Sequence, residues 1–146
     1  MKKAILSLCL AAAAAAVSVS TFAATGQSVI ERGGYTIYFS TGYASMGYRD
    51  LKIPRNGTKI TKVSWNYHDY TNGYDNQKVE LCYRRQYSNY DFKCMDISSS
   101  NSGSVDYFDG LEARGEFVLT YTLEGGSYHA YWDYDVKNTI TIDYTY

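Results

Sequence analysis

The chain has 146 residues, with 14 basic and 15 acidic side chains, 17 Tyr, 12 Gly, 1 Pro and 3 Cys. That length suits one domain, an aromatic content of 16% excludes intrinsic disorder, and the near-neutral balance excludes the basic excess of a dedicated nucleic-acid binder. So much tyrosine, with so little leucine beyond the N-terminus, favours strands over helices.

Met1-Lys2-Lys3 is a short basic start, 4–20 is an uncharged Ala-rich run, and Thr21-Phe22-Ala23 is a small-residue cleavage signal. We expect a cleaved signal peptide over 1–23 and a single mature domain over 24–146. An uncleaved anchor is the competing reading, but the run is barely long enough to span a bilayer and alanine is a weak membrane residue. Cys9 follows Leu8 within the run and leaves with the signal, which argues against a lipid-modified start. The mature chain keeps 123 residues with 12 basic and 15 acidic side chains, because Lys2 and Lys3 are lost. No later segment approaches the roughly 18 consecutive apolar residues of a membrane helix. The expected product is bacterial and either periplasmic or secreted, without a membrane span.

Strands are expected where residues alternate between apolar and polar. They fall at 34–40, 60–67, 77–84, 91–97, 103–108, 116–122, 128–134 and 138–146. The second puts Val63, Trp65 and Tyr67 on one face, and the third puts Val79, Leu81 and Tyr83 on one face. In the last, Ile140, Ile142, Tyr144 and Tyr146 alternate with Thr139, Thr141, Asp143 and Thr145. Between strands lie Asn56-Gly57 (with Pro54 just before it), Asn72-Gly73, Asp109-Gly110 and Gly125-Gly126, dipeptides that accept positive φ. Seven or eight short strands of this kind predict an all-β chain folded as an antiparallel β-sandwich, in preference to a small barrel.

In an oxidising compartment the two mature cysteines, Cys82 and Cys94, read as one disulfide. Their closed loop spans 13 residues around the polar stretch Gln86-Tyr87-Ser88-Asn89-Tyr90, which suits a hairpin tip. A redox pair would be more closely spaced, as C-x-x-C. For catalysis the chain offers His68 and His129, far apart, and none of the common nucleophile, zinc-protease or nucleotide motifs. We therefore expect no enzyme, no cofactor and no metal. Asp69, Asn72, Asp75 and Asn76 cluster near one turn, but their spacing is ordinary turn composition rather than a calcium loop.

Tyrosine is the unusual feature. Six lie between 67 and 90, and a second group is Tyr128, Tyr131, Trp132 and Tyr134. At the strand positions Tyr35, Tyr38, Tyr121 and Tyr144 a half-buried ring with a wet hydroxyl is the simpler reading. The turn-proximal Tyr70, Tyr74, Tyr87 and Tyr90, together with Tyr131 and Trp132, are candidate binding-surface residues. Exposed aromatics supply rigid amphipathic contact area to a protein or a sugar ring.

The order of motifs in the second half carries a resemblance. Val63-Ser64-Trp65-Asn66-Tyr67 precedes Val79-Glu80-Leu81-Cys82 and Lys93-Cys94-Met95-Asp96-Ile97. Then come Gly110-Leu111-Glu112-Ala113, Leu123-Glu124-Gly125-Gly126 and the ending Asn138-Thr139-Ile140-Thr141-Ile142-Asp143-Tyr144. Over about 58–146 this resembles the FlhE family of periplasmic flagellar proteins, with its V-x-W-x-Y strand and L-C…C pair. The tyrosine-rich stretch 67–76 and the long loop 83–93 depart from that pattern. The resemblance implies a non-catalytic, accessory or chaperone-like factor that engages an exported protein partner, such as a flagellar one. It brings no catalytic residues, and it makes Trp65, Cys82, Cys94 and Gly126 structural. The alternative is a carbohydrate-binding or adhesin-type module that uses the tyrosines to stack on a glycan.

Overall fold

The computed structural model describes residues 23–39, 41–71, 73–127 and 135–146. Residues 1–22 of the expected signal peptide, Asn72, His129, the expected strand 128–134 and the candidate residues Tyr131 and Trp132 lie outside the described residues. Among those described there are eight strands: β1 (Thr25–Gly33), β2 (Gly42–Tyr48), β3 (Lys59–Asn66), β4 (Asn76–Arg84), β5 (Asp91–Asp96), β6 (Ser102–Val105), β7 (Glu116–Glu124) and β8 (Lys137–Thr145).

They form two four-stranded antiparallel sheets, ordered β1-β8-β3-β6 and β2-β7-β4-β5. Among the described residues, consecutive strands lie in opposite sheets except β4 and β5, which form a hairpin within one sheet. Inward residues of both layers make one core. Ala44, Met46 and Tyr48 come from β2, Ile60, Val63 and Trp65 from β3, and Val79, Leu81 and Tyr83 from β4. Phe117, Leu119, Tyr121 and Leu123 of β7 meet Ile140 and Ile142 of β8 at its centre. This is the expected antiparallel sandwich.

The strand expected at 34–40 does not form. The ladder with β8 is made instead by Thr25–Gly33, and 34–39 is an irregular connection in which only Ile37 and Gly34 are buried. Tyr35 and Tyr38, expected to be half-buried strand residues, are therefore mostly exposed. β1 is hidden from an alternation test because its inward positions are Gly26, Ser28 and Ile30. The Tyr144 ring lies where a side chain at position 26 would stand, and Ser28 Oγ donates to Asp50 Oδ2 at 2.7 Å. β2, GYASMGY, is masked in the same way by its small residues. In β8, Tyr144 is partly buried, and Tyr146 just beyond the strand is exposed, so the apolar face fades toward that end.

The glycines of the four turn dipeptides, Gly57, Gly73, Gly110 and the Gly125-Gly126 pair, all adopt positive φ. Gly126 is constrained twice over, since any Cβ there would collide with the Gly73 carbonyl. Its N–H donates to Asp75 Oδ2 at 2.9 Å. Asp69 accepts from Gln77 Nε2 at 2.5 Å and Asn101 Nδ2 at 2.8 Å. The acidic turn thus ties loops together, as its composition suggests.

Candidate functional site

The structure divides the turn-proximal tyrosines between the two ends of the sandwich. Tyr70 and Tyr74 sit near the start of β4, whereas Tyr87 and Tyr90 lie beyond its end, so the four cannot form one platform. Tyr70 is 2% exposed and packs edge-on against Tyr121 with ring centroids 5.3 Å apart. Its hydroxyl donates to the Tyr35 carbonyl, and burial pushes its pKa well above the usual phenol value. Tyr74 is partly buried against the core and donates to the Tyr70 carbonyl at 2.6 Å. Tyr70 is thus a core residue rather than a surface one. The loop that carries it folds back over that end of the sandwich, where Tyr121 packs edge-on against both Tyr67 and Tyr70.

The exposed aromatics at that end come from the segment between β1 and β2 and from the start of β2 itself. Tyr38, Phe39 and Tyr43 are 64%, 70% and 76% exposed around a shallow groove of about 280 Å³. Ile37 anchors the segment by turning into the core, and Gly42 makes room for it, since a Cβ there would press on Ile37 Cγ2. The patch borders β2, the edge strand of its sheet. No backbone group of Gly42–Tyr48 pairs with any strand other than β7 among the described residues. Among the described residues, Arg32 Nη1 donates to the Gly47 carbonyl at 2.5 Å, and Ser45 Oγ meets Thr120 Oγ1 of β7 at 2.8 Å.

Edge strands in soluble proteins are guarded by charge, bulges or shortness. Three of the four edges here follow that rule. β1 carries Glu31 and Arg32, β6 has four residues, and β5 carries Asp91, Lys93 and Asp96 with an irregularity in its register. β2 has seven residues with no charge, no proline and no register shift. Sequence patterning missed this site because its strand lacks the alternation by which strands are found.

At the other end, Cys82 and Cys94 are directly opposite one another across β4 and β5, with Cα atoms 4.0 Å apart, and form the expected disulfide on the outer face. Asp91 lies close enough to both sulfurs to complete a three-ligand cluster, but a disulfide offers no thiolate to a metal. The hairpin presents Tyr87 and Tyr90 at 87% and 84% exposure. Arg84 Nε pairs with Asp91 Oδ1 at 2.6 Å, Arg85 stacks 3.8 Å over the Phe92 ring, and Lys93 stacks 3.9 Å over Tyr107. A groove of about 350 Å³ runs beside the hairpin base, lined by Lys59, Tyr83, Arg85, Gln86, Leu111 and Glu112. Tyr83 donates to the Glu112 carbonyl at 2.9 Å. Burial, then the Glu112 charge, raises its pKa to about 12 against the opposing pull of Arg85.

His68 sits at the exposed end of β3, where its N–H donates to Asn138 Oδ1 at 2.9 Å and its carbonyl accepts from Tyr121 at 2.9 Å. Among the described residues no helix is long and apolar enough to cross a membrane.

No family model and no curated protein matches the sequence. Among solved structures, the crystal structure of FlhE aligns with a TM-score of 0.63 at 18% identity, over 85% of this chain and 100% of that one. A chain from a structure of Bacillus endospore appendages, described as a novel family of disulfide-linked pili, covers 97% of this chain and 98% of that one. Its TM-score is 0.42 at 15% identity, too low to indicate a shared fold. The chain is thus similar in fold to FlhE: an all-β, two-sheet sandwich.

Proposed function

We propose that the protein is an exported, non-catalytic binding protein that captures an extended segment of an exported protein partner. Capture occurs at the open edge of β2 and on the aromatic patch beside it. The supporting observation is the contrast between β2, whose seven residues carry no charge and make no backbone pairing on their outer side among the described residues, and the guarded edges elsewhere. An added strand gains main-chain hydrogen bonds from β2, while Tyr38, Phe39 and Tyr43 supply pockets for its side chains. The disulfide supports an oxidising, extracytoplasmic setting. The fold likeness to FlhE, together with the family resemblance read from the motifs, favours an accessory or chaperone-like role in a flagellar setting, in the periplasm.

The test is a photo-crosslinker at position 43 combined with the substitution Ser45→Lys, which places a charge on the exposed face of the edge strand. Crosslinking to exported assembly subunits, lost in Ser45→Lys and in Tyr38→Ala/Tyr43→Ala, is expected. A strain lacking the gene should show a motility defect that the wild-type gene restores and the Ser45→Lys gene does not. Partner capture indifferent to these substitutions would overturn the β2 reading. Normal motility of the deletion strain would remove the flagellar setting.

A further inference from the structure

The hairpin end of the sandwich carries a separate surface with its own physical signature. Tyr87 holds φ at 63° while its ring is 87% exposed. The left-handed region opposes a bulky side chain, and at this exposure the ring gains little burial to offset that strain. Glycine or asparagine would suit the turn better, so folding does not account for a tyrosine here.

The groove beside the tip is built rather than incidental. One wall is the hairpin base, tied by the disulfide and by the Arg84–Asp91 pair. The other is the 109–113 segment, clipped to the start of β3. Ile60 N–H donates to the Leu111 carbonyl at 2.8 Å, Gly110 N–H to the Ile60 carbonyl at 2.9 Å, and Ala113 N–H to the Thr58 carbonyl at 3.2 Å. Lys59 and Arg85 both line the groove, and neither has a carboxylate within ion-pair distance among the described residues. Arg85 is held in place by its stack on Phe92. Glu112 is the one acidic residue of the lining, so two cations face one anion, and Gln86 adds an amide.

We propose that the groove and the Tyr87–Tyr90 tip bind a saccharide chain that bears carboxylates. The C–H faces of its rings stack on the two exposed tyrosines. Lys59 and Arg85 take a uronate carboxylate through charge-assisted hydrogen bonds, and Gln86 and Glu112 are within the same lining to meet hydroxyls. The site is distinct from β2, which lies at the far edge of the sheet from β5.

The test titrates the disulfide-bonded protein with a uronic-acid hexamer and with a neutral hexamer of the same length. The acidic oligomer should bind at least about fivefold more tightly. Tyr87→Gly, which relieves the backbone, should weaken binding about tenfold while the melting temperature holds or rises. Arg85→Gln and Lys59→Gln should weaken binding and flatten its salt dependence, and Glu112→Gln should strengthen it. Ser45→Lys should leave it unchanged, so failure here is distinguishable from failure at β2. Equal affinity for the two oligomers, no binding of either, or wild-type affinity in Tyr87→Gly would overturn the proposal.

Discussion

Single residues record where the fold is tight and where it is strained. A tyrosine at φ 63° in a solvent-exposed turn is held against a cost of roughly 1 kcal/mol. Tyr87→Gly should therefore leave stability unchanged or raise it by up to about 1 kcal/mol, measured by urea unfolding. A clear loss would mean that the ring has a packing role. Gly115 is the opposite case, since a Cβ there would run into the Tyr83 ring. Gly115→Ala should cost about 1–3 kcal/mol through overpacking, and it should break the Tyr83–Glu112 hydrogen bond beside the groove. Asp50 accepts from Ser28 Oγ and then from the Lys52 N–H, contacts that hold its carboxyl below the usual value. A depressed folded pKa stabilises above the unfolded pKa and is lost as pH falls through the folded value. Ser28→Ala should accordingly lower stability at neutral pH, with the difference from wild type shrinking as pH falls below about 4. The positive-φ glycines were legible in the sequence because their dipeptides have local causes. The burial of Tyr70 was not, because its partners Tyr121 and Tyr35 are far along the chain.

At the scale of elements, strands were legible where burial falls on alternating large side chains, as in β3, β4, β7 and β8. They were illegible where the inward face is small or polar, as Gly26 and Ser28 make it in β1 and Ala44 in β2. GYTIYF at 34–39 shows the converse: it alternates, but β8 is already paired on that side by Thr25–Gly33, so the segment finds no ladder. The β4–β5 hairpin was legible through its cysteines, which bracket a polar tip. Closing a 13-residue loop constrains the unfolded chain by about 3 kcal/mol. Cys82→Ala/Cys94→Ala should lower stability by about that amount, with amide exchange quickening in β5 more than in the central β7. Uniform quickening across both sheets would show that the bond holds the whole sandwich rather than its edge.

On the scale of the molecule, the core is unusually phenolic. Tyr48, Tyr67, Tyr70, Tyr83 and Tyr121 are all nearly fully buried. Burial raises the pKa of Tyr48, Tyr67 and Tyr83 to about 12, and drives Tyr70 and Tyr121 higher still. A group whose folded pKa is raised stabilises fully below its unfolded pKa, and that contribution is lost as pH rises through the folded value. Stability should therefore hold to about pH 10 and fall steeply between about 10 and 12. Absorbance at 295 nm should show the five buried tyrosines ionising only in step with loss of the circular dichroism signal. Their ionisation near pH 10, with the signal retained, would contradict the burial described.

Local sequence was enough to read the all-β class, the disulfide, the turn glycines and the inward faces of the strongly alternating strands. Each of these follows from residues close together in the chain: periodicity within a strand, φ preference within a dipeptide, ring closure over 13 residues. The FlhE-like fold was legible too, through the order of those same elements. Long-range packing sets which tyrosines are buried, which sheet edge is left uncharged, and the placement of Lys59 and Arg85 along one groove. Those outcomes depend on a chain that crosses between sheets at nearly every connection. Each surface is thereby assembled from segments whose spacing in the sequence carries no trace of their contact.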